Sequence, residues 1–294
     1  MRTAWIEPTY EAWRERAREL LTSGVKPEEV MWCDDRKAGS LFAEIEGEGD
    51  ALRTVDEKVP VPRVSSAFLD LAECVAAHND PQRWGILYHL LWRHTLGGER
   101  HLLEKMTDPQ LRMAQNWSKA VRREIHKMHA FVRFRLVGVD EATGREEFIA
   151  WFEPEYHIVK LATPFFVKRF ANMDWAILTP KGCAHWNGAT LHFTHGVSKE
   201  EAPEADAQDD LWRTYYRSIF NPARLKVKAM TTEMPKRYWK NLPEATIIDE
   251  LIGISGRRVD AMMVTDLRPA RPAPKNAYLA RLREMNQSGG DASE

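Results

Sequence analysis

The chain has 294 residues, 44% of them hydrophobic, with 42 Lys and Arg against 43 Asp and Glu. That is enough chain for one large domain or two smaller ones with a sizeable core. No apolar run approaches the roughly 18 residues of a membrane span, and the first twenty residues lack the apolar stretch of a secretory signal; a cytoplasmic protein without membrane contact is expected.

Cys33, Cys74 and Cys183 are too few and too scattered for a disulfide framework or a four-thiolate cluster. The net charge of -1 conceals segregation. Residues 44–57 carry six acids and one Arg, and residues 199–210 carry six acids and one Lys. Without these two segments, both of loop composition, the balance is +9. A basic body suggests polyanionic partners, unless the acidic loops fold back over it.

In chain order, residues 1–58 are expected to form a helical lead-in, with Trp5, Trp13, Leu20 and Leu21 as contacts, and an acidic loop. VPVPRVSS is extended, because each proline disfavours helix in the residue before it. Helices follow over Ala67–His78 and Trp84–Thr95, the second broken by GGER. A third starts near Asp108 with Pro109 in its first turn. In it Leu111, Ala114, Ser118, Val121, Ile125 and Met128 recur at spacings of three and four, a core stripe. Gln115, Lys119, Arg122, His126 and His129 form a basic shoulder, with Asn116, Arg123 and Lys127 beyond it. AFVRFRLVGV then switches to a period of two, placing Arg133 and Arg135 on the strand face of Phe131.

EFIAWFEP returns as a strand with Phe148, Ala150 and Phe152 on one face. HIVKLATPFFVKRFANM is a helix kinked or restarted at Pro164. Three short strands follow, with turns at Pro180-Lys181-Gly182 and Asn187-Gly188. The reading is α+β: an antiparallel sheet of about five strands, β-β-α-β-β-β, packed with N- and C-terminal helices. LWRTYYRSIF and NPARLKVKAM are helices beyond the second acidic loop, and Pro235 restarts the chain as KRYWKNL. The main domain spans 59–255, and 256–294 is a Pro-rich linker and polar tail.

Two cationic groups suit phosphate contacts by counterion release. The first is Lys119, Arg122, Arg123, Lys127, Arg133 and Arg135. The second is Arg224, Lys226, Lys228, Lys236, Arg237 and Lys240, with Tyr238 and Trp239 interleaved as surfaces for base stacking. Either group can instead be a solvated face or pair with the acids. His126 and His129, and Cys183 and His185, have ligand-like spacing, but no further thiol or carboxylate is placed near them, so no metal or cofactor is expected. His126, His129, Glu153 and His157 are the candidates for acid–base chemistry, the last two on FEPEYH beside Glu155. No phosphate loop or nucleophile elbow is present.

The stretches KAVRREIHKMHAFVRFR, FIAWFEPEYHIVKLATPFFVKRFANMDWAILTPKGCAHWNG and LWRTYYRSIFNPARLKVKAMTTEMPKRYWKNLP resemble a bacterial domain of unknown function described as a probable DNA metabolism protein. The resemblance covers roughly residues 60–255. Members of that family occur beside a putative DNA-repair radical-SAM protein, or fused ahead of a UdgX-type uracil-DNA glycosylase. RREIH at Arg122–His126 echoes a glycosylase loop, but here it lies within a helical pattern. The resemblance implies a DNA-binding accessory module in DNA repair, acting with one of those partners. The alternatives are an enzyme acting on damaged or modified bases and a protein–protein scaffold without DNA contact.

Overall fold

The computed structural model describes residues 1–34, 63–99, 101–139, 144–201, 227–248 and 250–253. Most of both acidic segments, the helix expected over 211–220, and the linker and tail lie outside the described residues.

The lead-in is not purely helical. Strand β1 (Arg2–Trp5) pairs in parallel with β2 (Val30–Cys33), and α1 (Tyr10–Thr22) crosses between them. The Thr9 hydroxyl caps α1 through the Ala12 N–H. Gly24, at φ +64, turns the chain so that the Val25 N–H returns to the Leu20 carbonyl. Four-residue strands are too short to declare a period, so the one signal legible at this end was the helical one.

Helices α2 (Ser66–Ala76) and α3 (Arg83–His94) follow, then the 23-residue α4 (Pro109–Phe131), capped by Asp108 and opened by Pro109. At about 1.5 Å per residue α4 is some 34 Å long. It is shared by two cores. Leu111, Ala114 and Trp117 join α1, α2 and α3 in the first; Val121 and Met128 join the sheet in the second. The helix persists through Phe131, so the strand expected from Ala130 begins at Arg135 instead. An apolar residue at a helix end satisfies both periods, and packing of Phe131 against Tyr238 decides for the helix.

The main sheet has five strands in the order β3 (Arg135–Val139), β4 (Glu146–Trp151), β5 (Asp174–Leu178), β6 (Cys183–Trp186) and β7 (Leu191–Thr194). It is mixed, not antiparallel: β4 and β5 run parallel. Between them α5 (Val159–Arg169) carries the chain back to the end from which β4 started, which a hairpin cannot do. Phe148 pairs with Trp175, and Ala150 with Ile177 and through it Ala184, making the inner face. Pro164 does not divide α5. The Lys160 carbonyl it leaves without a backbone donor accepts the Thr163 hydroxyl at 3.2 Å. Two further helices, α6 (Val227–Glu233) and α7 (Lys236–Trp239), close over this core through Met234, Tyr238 and Leu242. No helix among the described residues is long and apolar enough to cross a membrane.

Charge fixes the α3–α4 connection. Arg93 donates to Glu99 at 2.9 Å and to Asp108 at 2.6 Å, and Lys105 reaches Glu99 at 2.7 Å. The hydrogen bonds from Arg93 and then Lys105 pull the Glu99 carboxyl down to about 2, and Arg93 likewise lowers Asp108. A carboxyl lowered on folding stabilises above its unfolded value and loses that contribution as pH falls through its folded one. Arg93→Ala is expected to cost about 2 kcal/mol at pH 7. In urea unfolding at a series of pH values, the gap from wild type should close between pH 4.5 and pH 2, where Glu99 titrates.

Candidate nucleic-acid interface

Helix α4 carries five permanent cations and one acid, and that acid, Glu124, is only 3% exposed. Its phase explains this: Glu124 stands three residues after Val121 and four before Met128, inside the core stripe. Arg112, Asn116, Lys119, Arg122, Arg123 and His126 fall on the opposite side, and all six are exposed. Arg112, Lys119, Arg122 and Arg123 form no ion pair among the described residues. From Arg112 to His126 this face runs for about 21 Å without a carboxylate of its own helix to offset it.

The remaining predicted cations are used differently. Lys127 reaches the backbone and carboxylate of Glu233, the latter at 3.1 Å. Arg133 pairs at 2.7 Å with Glu244, which is 2% exposed, and donates to the Ala130 carbonyl. Arg237 bridges Glu124 and Glu155 and lies over the Tyr238 ring, while Lys240 pairs with Glu153. These four tie α4, the β4–α5 connection and the C-terminal helices together. Arg135 is half-buried at the start of β3. Lys236 is exposed, its amine 5.6 Å from the centre of the Trp239 ring. The Trp239 indole donates to the Met234 carbonyl and is half-buried against the core, so its ring serves as an anchor. Arg224 and Lys226, and the side chain of Lys228, lie outside the described residues.

Glu124 is the centre of this arrangement. Its oxygens accept the Glu155 N–H at 3.0 Å and the Arg237 guanidinium. The guanidinium also donates to the Tyr238 hydroxyl at 2.6 Å. Burial, followed by the Glu124 charge, raises the Tyr238 phenol far above its usual range. Tyr238 itself packs between Phe131 and Phe152.

The acid–base candidates fall in two places: His126 and His129 share a turn of α4, and Glu153 and His157 lie on the β4–α5 connection. His126 is exposed on α4. His129 stacks on Phe165 with centroids 4.2 Å apart and bonds the Ala162 carbonyl at 3.0 Å. Burial lowers His129, against that hydrogen bond. Burial would raise Glu153, but the bonds from Lys240 and Trp151 outweigh it and hold the carboxyl low. His157 lines a pocket of about 200 Å³ between α1, α2 and the sheet, together with Lys181 and Cys183. Crowding of its ring, then Lys181 and Arg83, lower His157. Among the described residues no group of three or more His, Cys, Asp or Glu side chains is placed to hold a metal. The helical phase could have revealed Glu124 and Arg112. Nothing in the sequence pointed to Lys181, which tertiary structure alone brings beside His157.

An α+β domain with one unopposed cationic helix face is thus the class that fold and surface define. The family model for DUF4130, a domain of unknown function, matches residues 81–244, more than half of the chain, and the chain belongs to that family. No curated protein and no solved structure matches it.

The two kinds of cation should separate by mutation. Glu124→Ala leaves the Glu155 N–H and one arm of the Arg237 guanidinium without their acceptor, while Arg237 keeps the Glu155 carboxylate, and is expected to cost about 2 kcal/mol in chemical denaturation. Arg123→Ala should stay within about 0.5 kcal/mol of wild type.

Proposed function

We propose that this protein is a DNA-binding accessory module of DNA metabolism, which holds the phosphate backbone along the outer face of α4. The observation that carries the reading is the row Arg112, Lys119, Arg122 and Arg123: exposed, on one side of one helix, and without an ion pair among the described residues. A surface cation gains little from being merely solvated, but each one that neutralises a phosphate releases condensed counterions. A rigid row of about 16 Å lies alongside roughly five base-pair steps of duplex or a similar run of single strand. Such contacts position without reading sequence.

The cations around α7 contribute less, because Arg237 and Lys240 are committed to carboxylates and Trp239 to the core. The resemblance of the sequence to probable DNA metabolism proteins supports the same assignment. It extends it to work beside a uracil-DNA glycosylase or a radical-SAM repair protein, for which the accessory module would hold the substrate.

The test is fluorescence anisotropy with single-stranded, duplex and uracil-containing oligonucleotides over a range of salt. Wild-type binding should weaken steeply with salt. Lys119→Ala, Arg122→Ala and Arg123→Ala combined should reduce the slope of log K against log salt by about 2 to 3 with an unchanged melting temperature. No binding at low salt would overturn the proposal and leave scaffolding of a partner protein as the account.

A further inference from the structure

The pocket beside α1 is built with more care than a surface crevice requires. Its floor is a laced junction between the segment after α2 and the segment before α5. The His157 N–H donates to the Ala77 carbonyl at 2.9 Å, and the Asn79 amide donates to the Glu155 carbonyl at 2.6 Å. Between these bonds His78 is stacked on both Tyr156 and Trp117, at 4.6 and 5.4 Å. Lys181 enters from the β5–β6 turn, whose shape is held by Thr179: its hydroxyl accepts the Lys181 N–H at 3.0 Å and donates to the Gly182 carbonyl at 2.7 Å. The Lys181 amine bonds the Asn79 side-chain oxygen at 3.1 Å and has no carboxylate within ion-pairing distance among the described residues. The other lysine of the pocket, Lys160, is instead set against Glu11 at 3.6 Å.

A half-buried amine fixed by a neutral acceptor, on a residue that lines a cavity together with an imidazole, suits attack on a carbonyl. Burial favours the uncharged amine, with Arg83 acting in the same sense against Glu155 and Glu124. His157 is exposed on one side, and the partial enclosure of its ring, followed by the Lys181 and Arg83 charges, favours its neutral, proton-accepting form.

We propose that Lys181 forms a Schiff base with the open-chain aldehyde of a 2-deoxyribose unit, presented as an abasic site in DNA, and that His157 is the base for the elimination that follows. This rests on the DNA-binding reading for its substrate. The Lys181 lone pair adds to the aldehyde carbon C1′, the carbonyl oxygen takes up two protons and leaves as water, and a protonated imine remains. His157 removes a proton from C2′. The released C–H electron pair forms the C2′–C3′ double bond as the C3′–O bond breaks, and the 3′ phosphate leaves with that bond's electrons. Water then hydrolyses the imine and restores the amine. No oxidant or reductant enters the cycle, and the pocket volume of about 200 Å³ is sufficient for one sugar unit.

The experiment is borohydride trapping of the full-length protein with an oligonucleotide bearing one abasic site, and in parallel with free 2-deoxyribose 5-phosphate. Both products are mapped by peptide mass spectrometry. The expected result is a covalent DNA adduct on Lys181, lost at least tenfold in Lys181→Arg while anisotropy shows DNA binding within twofold of wild type. His157→Ala should still trap but should cleave the strand at least tenfold more slowly. An adduct that persists in Lys181→Arg, or that maps to an exposed lysine such as Lys119, overturns the proposal. Labelling of Lys181 by the free sugar phosphate without any DNA binding shows a reactive amine whose substrate is a small sugar, and overturns the DNA assignment alone. DNA binding without an adduct on Lys181 overturns the nucleophile and leaves the DNA-binding reading standing.

Discussion

The buried carboxylate of Glu124 is the constraint on which the second core depends. A charge on the inner side of a long helix is tolerable only if every lone pair finds a donor. The donors come from two distant parts of the chain, the Glu155 N–H and the Arg237 guanidinium. Satisfying Glu124 therefore fixes where the β4–α5 connection lies against α4, and where α7 comes to rest. Tyr238 then fills the space between Phe131 and Phe152, so one polar requirement also sets an apolar contact.

The same requirement sorts the cations. Side chains of one chemical type, alternating along the chain, end in two populations. Lys127, Arg133, Arg237 and Lys240 hold carboxylates across the C-terminal seam, and two of those acids, Glu153 and Glu155, belong to the β4–α5 connection. Arg112, Lys119, Arg122 and Arg123 remain on the far side of α4, where the absence of any acid in the helix other than Glu124 leaves them without a local partner. A surface charge row is thus a by-product of packing: the stripe that turns Glu124 inward necessarily turns its basic neighbours outward.

The seam between the two cores accounts for the pocket. The first core belongs to α1, α2, α3 and the start of α4; the second to the sheet, α5 and the end of α4. Where two independently packed units meet, side chains cannot interdigitate fully, and concave sites collect there. Here the gap is bordered by the lacing of residues 77–79 to 155–157, which gives His157 and Lys181 fixed positions rather than loop-like ones.

Local pattern was sufficient for much of this. The periodic stripe of α4, its Asp108-Pro109 start, the inward Phe148 and Ala150, and the turns at Pro180-Lys181-Gly182 and Asn187-Gly188 are all visible in order along the chain, because each depends on neighbours within a few residues. So is the outward basic face, since helical phase alone assigns it. What needed the tertiary structure was every decision between partners far apart in sequence. The parallel pairing of β4 with β5 depends on which end of the sheet α5 returns to. The short β1–β2 pair exists only because two four-residue segments meet. Arg237 reads as a free cation until Glu124 and Glu155 are brought to it across more than eighty residues, and Lys181 acquires a chemical setting only beside Asn79 and His157. Periodicity records which face of an element is buried; it carries no record of what that face, or the charge upon it, will meet.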